Sequence, residues 1–132
     1  MKNIIYKVGI TPATSEIIDV YDSSGIIRPT NDSARIEKMY ANSNLIVTAW
    51  LGAELIGISR SLADFCFACY LSDLAVKIEY QKHGIGKELI ILTRREIGNE
   101  TALILLAAAA AMEYYPKIGF DKIENGFIIR RQ

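Results

Sequence analysis

Histidine, cysteine and proline are scarce in this 132-residue chain, which has one His, two Cys and three Pro. Structural zinc sites take four His or Cys ligands, and small disulfide scaffolds are dense in cysteine; neither supply exists here. Cys66 and Cys69 spell C-x-x-C, but no second pair accompanies them. They lie in the apolar run 65–71, which reads as a strand, where three-residue spacing puts them on opposite faces. No metal site is expected, and a reducing cytoplasm is the default location. Charge of one sign is missing too: fifteen basic residues balance fifteen acidic ones. Residues 1–66 hold six basic and seven acidic side chains, so neither half forms the block that nucleic acid or an anionic membrane would attract. The longest apolar run, Ala102 to Met112, is far short of the roughly 18 residues a spanning helix needs. Lys2 and Lys7 interrupt the first residues before any signal-peptide core can form.

What is plentiful is hydrophobicity, at 51% of residues. With no net charge to oppose collapse, that composition excludes disorder. The length suits one domain over residues 1–132. Ile4 to Val8 is a short β-branched run. Helical spacing follows in Ile17, Ile18 and Tyr21, stopped by Ser23-Ser24-Gly25, and again from Asp32 through Ile36, Met39 and Tyr40. Three strand candidates come next, 45–51, 55–62 and 65–76, joined by short loops as in an antiparallel meander. Gly84 to Ile97 is helical, with Gly98 as its stop. Thr101 to Ala107 reads as a strand buried on both faces. Ala108 to Ile118 reads as a helix that Pro116 kinks, and 120–131 as a hairpin around Asn125-Gly126. The order β-α-α-β-β-β-α-β-α-β-β describes an α+β fold.

The chemistry is concentrated where the strand Leu74-Ala75-Val76 runs into Gln81-Lys82-His83-Gly84-Ile85-Gly86-Lys87 and then a helix. A helix start offers unpaired N–H groups and the positive end of a dipole. Glycines let the backbone approach a ligand, and Lys82 and Lys87 add charge. The result is a cradle for phosphate or pyrophosphate. It is neither a dinucleotide fingerprint, since Leu89 holds the third glycine's place, nor a Walker loop. Read alone, Gly84-x-Gly86 is more simply a plain helix cap.

Together, Leu74-Ala75-Val76, Gln81-x-x-Gly84-x-Gly86 and Tyr115-Pro116-Lys117-Ile118-Gly119-Phe120 resemble two motifs of the GNAT superfamily of N-acetyltransferases. The resemblance is good over roughly residues 45–122 and rests on element order before that. It implies a mixed, mostly antiparallel central sheet flanked by helices, with acetyl-CoA in a V-shaped opening between the strands 65–76 and 101–107. Backbone groups of Leu74, Ala75 and Val76 would pair with the pantetheine arm, and N–H groups along Lys82, His83, Gly84, Ile85, Gly86 and Lys87 would hold the pyrophosphate. An N–H near Leu74 would face the thioester carbonyl. Tyr115 matches the family's general acid, which serves the departing CoA thiolate, with Tyr114 beside it. Asp73 is the carboxylate placed to take the amine proton, water being the alternative. His83 is too deep in the phosphate loop for that role. Ala108 stands where many members carry an Asn that bonds the pantetheine arm.

The implied activity is acetyl transfer from acetyl-CoA to a primary amine of a small molecule, by direct attack in a ternary complex without a metal. The acceptor would lie against 26–30, Trp50, Phe65, Tyr70 and Ser72, with Arg28 available for a substrate carboxylate. Two alternatives stay open: a non-catalytic acyl-CoA-binding or interaction module, and a protein N-terminal or lysine acetyltransferase. Neither nucleic acid nor membrane is an expected partner, and a homodimer is left open.

Overall fold

The computed structural model describes residues 3–132. The β-branched run 4–8 becomes β1 (Ile4–Val8), and mostly apolar stretches become β2 (Leu45–Leu51), β3 (Glu54–Ala63) and β4 (Ala68–Val76). These four lie side by side in chain order, each antiparallel to the next. Helices α1 (Thr14–Ser24) and α2 (Ser33–Ala41) fill the connection between β1 and β2. After β4 the chain crosses over through α3 (Ile85–Ile97), and β5 (Ala102–Ile104) joins the sheet edge parallel to β4. A short α4 (Tyr114–Lys117) follows. The fold is α+β, with a mostly antiparallel sheet flanked by helices, and the expected element order is followed through α4.

Local chemistry sets the helix ends. The Glu16 carboxylate accepts from the Ala13 N–H at 3.0 Å, closing the start of α1. The Asp32 side chain accepts from Arg35 N–H at 3.1 Å and caps α2. The two sheet faces are covered by different layers. On one, Ile17, Val20 and Tyr21 of α1 and Ile36 and Tyr40 of α2 pack with Ile46, Trp50, Ile58 and Ala75. On the other, Ile85, Leu89 and Ile97 of α3 pack with Leu45, Val47, Ala49, Ile56 and Val76. Alternate residues of β2 thus serve opposite cores, which is why that strand is apolar but for Thr48.

Four sequence expectations are corrected. The third strand of the meander begins at Ala68, not Phe65, because the Asp64 carboxylate accepts the backbone N–H groups of Cys66, Phe67 and Ala68 at 2.9, 2.7 and 3.0 Å and holds them in a turn. Cys66 is therefore an exposed turn residue and Cys69 a buried strand residue, both with free thiols. The strand expected over 101–107 is only three residues long, and Ala102 and Ile104 are exposed, because β5 is an edge with nothing over its outer side. The helix expected over 108–118 breaks into a 3₁₀ turn at Ala109–Ala111 and the four residues of α4; Pro116 lacks the N–H that would bind the preceding turn. The closing hairpin does not form. Neither Asn125 nor Gly126 takes the positive φ that a two-residue hairpin turn demands.

The approach of α3 to the sheet depends on Gly57. A Cβ there would sit 3.2 Å from Ile85 Cγ2 and 3.3 Å from Leu89 Cδ1. Gly57→Val is expected to lower stability by about 1–3 kcal/mol, as overpacking of a close-packed core does. The urea midpoint reads it, and an unchanged midpoint would show that α3 can ride further from the sheet.

Candidate active site

Pairing between β4 and β5 covers Ala68 with Ala102, Cys69 with Leu103 and Tyr70 with Ile104, and then stops. From Leu71 to Val76, β4 keeps β3 on one side and no strand on the other. A bulge lies within this stretch. Arg60 pairs with Asp73 and Ser61 with Leu71, so Ser72 is the extra residue. A bulge bends its strand and increases local twist, and this one falls where β4 parts from β5. The side chains of Ala75 and Val76 are buried and that of Leu74 is half-buried. What the open side offers is backbone, the edge that an extended ligand pairs with.

The loop after β4 is tied back to it. Gln81 Nε2 donates to the Val76 carbonyl at 2.9 Å. Lys82 and Gly84 then take positive φ, 67° and 81°, which turns the chain into α3. Gly84 caps the helix, so the first N–H groups of α3 have no intrahelical partner. Lys82, His83, Gly84 and Lys87 are exposed, Gly86 is half-buried and Ile85 is buried in the α3 core. The structure thus joins an open strand edge to a helix start flanked by two lysines, an arrangement whose donors fit an extended amide chain ending in a pyrophosphate.

α4 completes the corner. A Cβ built on Gly86 would lie 3.4 Å from the Tyr114 hydroxyl and 3.9 Å from both Leu74 Cδ2 and Val76 Cγ2. The hydroxyl aimed at this corner is therefore that of Tyr114. Tyr115, the motif residue, is half-buried, with its ring edge-on to Tyr114 at 5.2 Å and to Phe120 at 5.4 Å. Burial, then the neighbouring Tyr114, raises the Tyr115 pKa, and burial raises that of Tyr114, so both phenols hold their protons at neutral pH. Only the proximity of the two tyrosines in sequence hinted that the neighbour would share the corner.

Asp73 has a different environment from the one its position suggests. Its side chain is fully buried and accepts four hydrogen bonds. Arg28 Nε and Ser72 Oγ donate to one oxygen at 2.5 and 3.1 Å; Arg60 Nε and the Tyr21 hydroxyl donate to the other at 2.6 and 2.7 Å. Tyr21 also bonds the Tyr40 hydroxyl. Arg60 reaches Ser43 and Ser72 with its remaining nitrogens, at 3.0 and 2.8 Å. Burial raises the Asp73 pKa, but the Arg60 bond and charge, with Tyr21 and Arg28, outweigh it and hold the carboxyl below its ordinary range. A carboxylate with both oxygens occupied and its proton affinity lowered is a poor proton acceptor. The geometry makes Asp73 a structural centre and argues against a base role.

Arg28 is committed to the same cluster. Besides Asp73, it donates to the Ser72 carbonyl at 2.7 Å and the Ile27 carbonyl at 2.7 Å. Of the expected acceptor residues, Ile27 is exposed beside it, while Trp50 is buried with its indole N–H on Thr48 Oγ1 at 2.7 Å. Phe65 and Tyr70 are exposed toward the start of β4, away from the corner formed by Gly86. Arg60 was missed from the sequence. Its signal is a charge inside a strand whose apolar residues mark it as buried, which demands a partner without naming it.

Residues 19–129 match the family model described as the acetyltransferase (GNAT) domain. The chain belongs to the GNAT acetyltransferase family. It is 36% identical over 128 residues to "Probable acetyltransferase TAP2" of Glycine max, covering 83% of this chain and 50% of the relative. It spans 29% and 32% of two other plant relatives, so it matches half or less of the curated proteins it resembles. A probable acetyltransferase from meticillin-resistant Staphylococcus aureus superposes with a TM-score of 0.80 at 24% identity, over 96% of this chain and 100% of that one. The aminoglycoside N-acetyltransferase AAC(6')-Iy, solved in complex with CoA, superposes with a TM-score of 0.73 at 14% identity, over 98% and 95%. At these identities the two structures establish the GNAT fold and no more.

The Asp73 cluster makes a testable contribution to stability. A carboxyl whose folded pKa lies below its unfolded value of about 3.9 stabilises fully above that value and loses its contribution as pH falls through the folded one. Asp73→Asn, which leaves two arginines without their counter-charge, is expected to cost about 3–5 kcal/mol at neutral pH. It is also expected to flatten the loss of stability below about pH 4. Urea midpoints at several pH values read both effects; identical acid slopes in the two proteins would remove Asp73 from the account.

Proposed function

We propose that the chain is an acetyl-CoA-dependent N-acetyltransferase that acts on the primary amine of a small molecule. The observation that carries this reading is the single corner where the open β4 edge, the glycine-capped start of α3 and the α4 tyrosines meet. In it, the backbone of Leu74, Ala75 and Val76 binds the pantetheine amides. The first N–H groups of α3, with Lys82, His83 and Lys87 around them, hold the pyrophosphate. Gly86 keeps the wall of the corner low, because any side chain there would meet Tyr114 and narrow the passage.

Acetyl-CoA supplies an activated thioester, whose acetyl carbon bonds to the amine nitrogen as the C–S bond breaks. On the motif match, and not on the position of its hydroxyl, Tyr115 is the phenol that carries the proton for the departing sulfur, with Tyr114, whose hydroxyl lies nearest Gly86, as the alternative; the raised pKa of each keeps that proton available through neutral pH. Because Asp73 is occupied, the amine proton leaves to water. Support for a small-molecule acceptor comes from the fold's relatives, which include an aminoglycoside acetyltransferase solved in complex with sisomicin.

Calorimetric titration with acetyl-CoA, CoA and desulfo-CoA tests the first half of the reading, and thiol release with a panel of amines tests the second. One-to-one binding is expected, weakened by Gly84→Ala, which forces a left-handed φ on a residue with a Cβ. Tyr115→Phe is expected to lower kcat by about 10²–10⁴-fold and to remove the alkaline fall in rate that deprotonation of the phenol produces. If Tyr114→Phe has that effect and Tyr115→Phe does not, the acid is Tyr114. Absence of binding would make the loop a helix cap and end the assignment.

A further inference from the structure

The corner at Gly86 belongs to the α3 side of the sheet, and the face under α1 and α2 is only partly covered. Leu62 pairs with Tyr70, and Tyr70 with Ile104, so these three side chains stand in one row across β3, β4 and β5. Their strand neighbours Cys69 and Leu103 pack into the α3 core, which puts the row on the opposite face. The helices stop short of it: Leu62, Tyr70 and Ile104 are 43%, 40% and 41% exposed. Tyr70 and Ile104 are also the last pair before β4 parts from β5. The row therefore forms an apolar apron at the mouth of the opening, and Ser72 follows it two residues on.

Beside the apron is a fixed cation. Arg28 and Arg60 share one carboxylate, Asp73, and neither forms an ion pair with another acid among the described residues. One guanidinium would neutralise Asp73; the second leaves a positive charge over. Arg28 carries it to the surface, with its side chain 27% exposed against 9% for Arg60 and none for Asp73. An arginine has five N–H groups. Arg28 gives one from Nε to Asp73, one from Nη1 to the Ile27 carbonyl and one from Nη2 to the Ser72 carbonyl. Each terminal nitrogen keeps one N–H with no partner among the described residues. A guanidinium held this way is already ordered, so an anion that meets it does not have to immobilise it. Carboxylates are the anions its planar donors match best.

We propose that the acceptor is an apolar α-amino acid, with its carboxylate on Arg28 and its side chain along Tyr70 and Ile104. The proposal rests on the acetyl-transfer reading and narrows its small-molecule amine to one class. In an α-amino acid a single carbon separates carboxylate from amine. A carboxylate held beside Ser72 thus keeps the nitrogen at the opening, which begins just past Tyr70. The acetyl carbon bonds to that nitrogen as the C–S bond breaks. One amine proton leaves to water, the sulfur takes the phenol's proton, and water returns a proton to the phenol. The products are an N-acetylamino acid and the CoA thiol. A polyamine or a lysine-rich peptide would instead bring more positive charge to a site that already has an excess.

The N-acetylated products isolate the carboxylate's contribution, because they carry no amine whose basicity could differ. Calorimetric titration of the CoA-bound protein compares N-acetylleucine with N-acetylleucinamide, in the unaltered chain and in Arg28→Gln and Arg28→Lys. The acid is expected to bind about 10–100-fold more tightly than the amide, the worth of a hydrogen-bonded charge. Arg28→Gln is expected to abolish that preference and Arg28→Lys to keep part of it, with CoA affinity the same in all three. Leucine and phenylalanine are expected to release CoA thiol from acetyl-CoA. Equal affinity for acid and amide, a preference that survives Arg28→Gln, or no thiol release with either amino acid would each overturn the proposal. If Arg28→Gln fails to fold, the acid and amide affinities of the unaltered chain decide. Acetyl-CoA binding with turnover of uncharged-tail amines alone sinks the amino-acid acceptor and leaves acetyl transfer standing; absence of acetyl-CoA binding removes both.

Discussion

One buried carboxylate organises this molecule. Asp73 lies at the bulge of β4, in the layer between the sheet and helices α1 and α2, and is neutralised by two arginines from different parts of the chain. Arg28 comes from the α1–α2 connection and Arg60 from the neighbouring strand. Tyr21 brings α1 to the same point. An isolated ionised carboxylate could not stay charged in such a place; it persists because its oxygens are fully hydrogen-bonded. Three elements are thereby fixed at a single position, and that position is where β4 leaves β5. The opening between the strands is thus secured from the face that α1 and α2 cover.

Elements with local causes were legible in the sequence. Gly25, Asp32, Gly84 and Gly98 mark helix ends through their own conformational or capping preferences, β1 follows from a β-branched run, and β2, β3 and β4 follow from mostly apolar runs separated by short turns. The glycine-capped start of α3 was legible for the same reason. Leu74, Ala75 and Val76 were legible as a strand end, which is where the structure has them.

What was not legible depends on partners distant in sequence. Asp73 could be seen as a carboxylate at a strand end, but its pairing with Arg28 and Arg60 is a relation across the fold. With those partners unknown, a free base and a structural anchor look identical. Ser72 bears no mark of a bulge. At Asp64, a side chain captured backbone N–H groups that the apolar run 65–67 would otherwise have given to a strand. At Asn125-Gly126, a strong local turn signal went unused: neither residue takes the positive φ of a two-residue hairpin turn. Tyr114 and Tyr115 show the finest limit: the motif fixes a tyrosine in register, while the kinked start of α4 decides which hydroxyl faces Gly86.

The two-to-one ratio of guanidinium to carboxylate leaves the cluster at Asp73 with a residual positive charge. On the proposed reading, an amine brought to the opening beside the Ser72 bulge would meet that field, which would disfavour its ammonium form and lower its pKa. Attack on a carbonyl needs the neutral amine. The scaffold would then favour the neutral nucleophile with no side chain acting as a base, by making the protonated one an unwelcome guest. On that reading, substrate selection by charge and substrate activation would be one electrostatic effect.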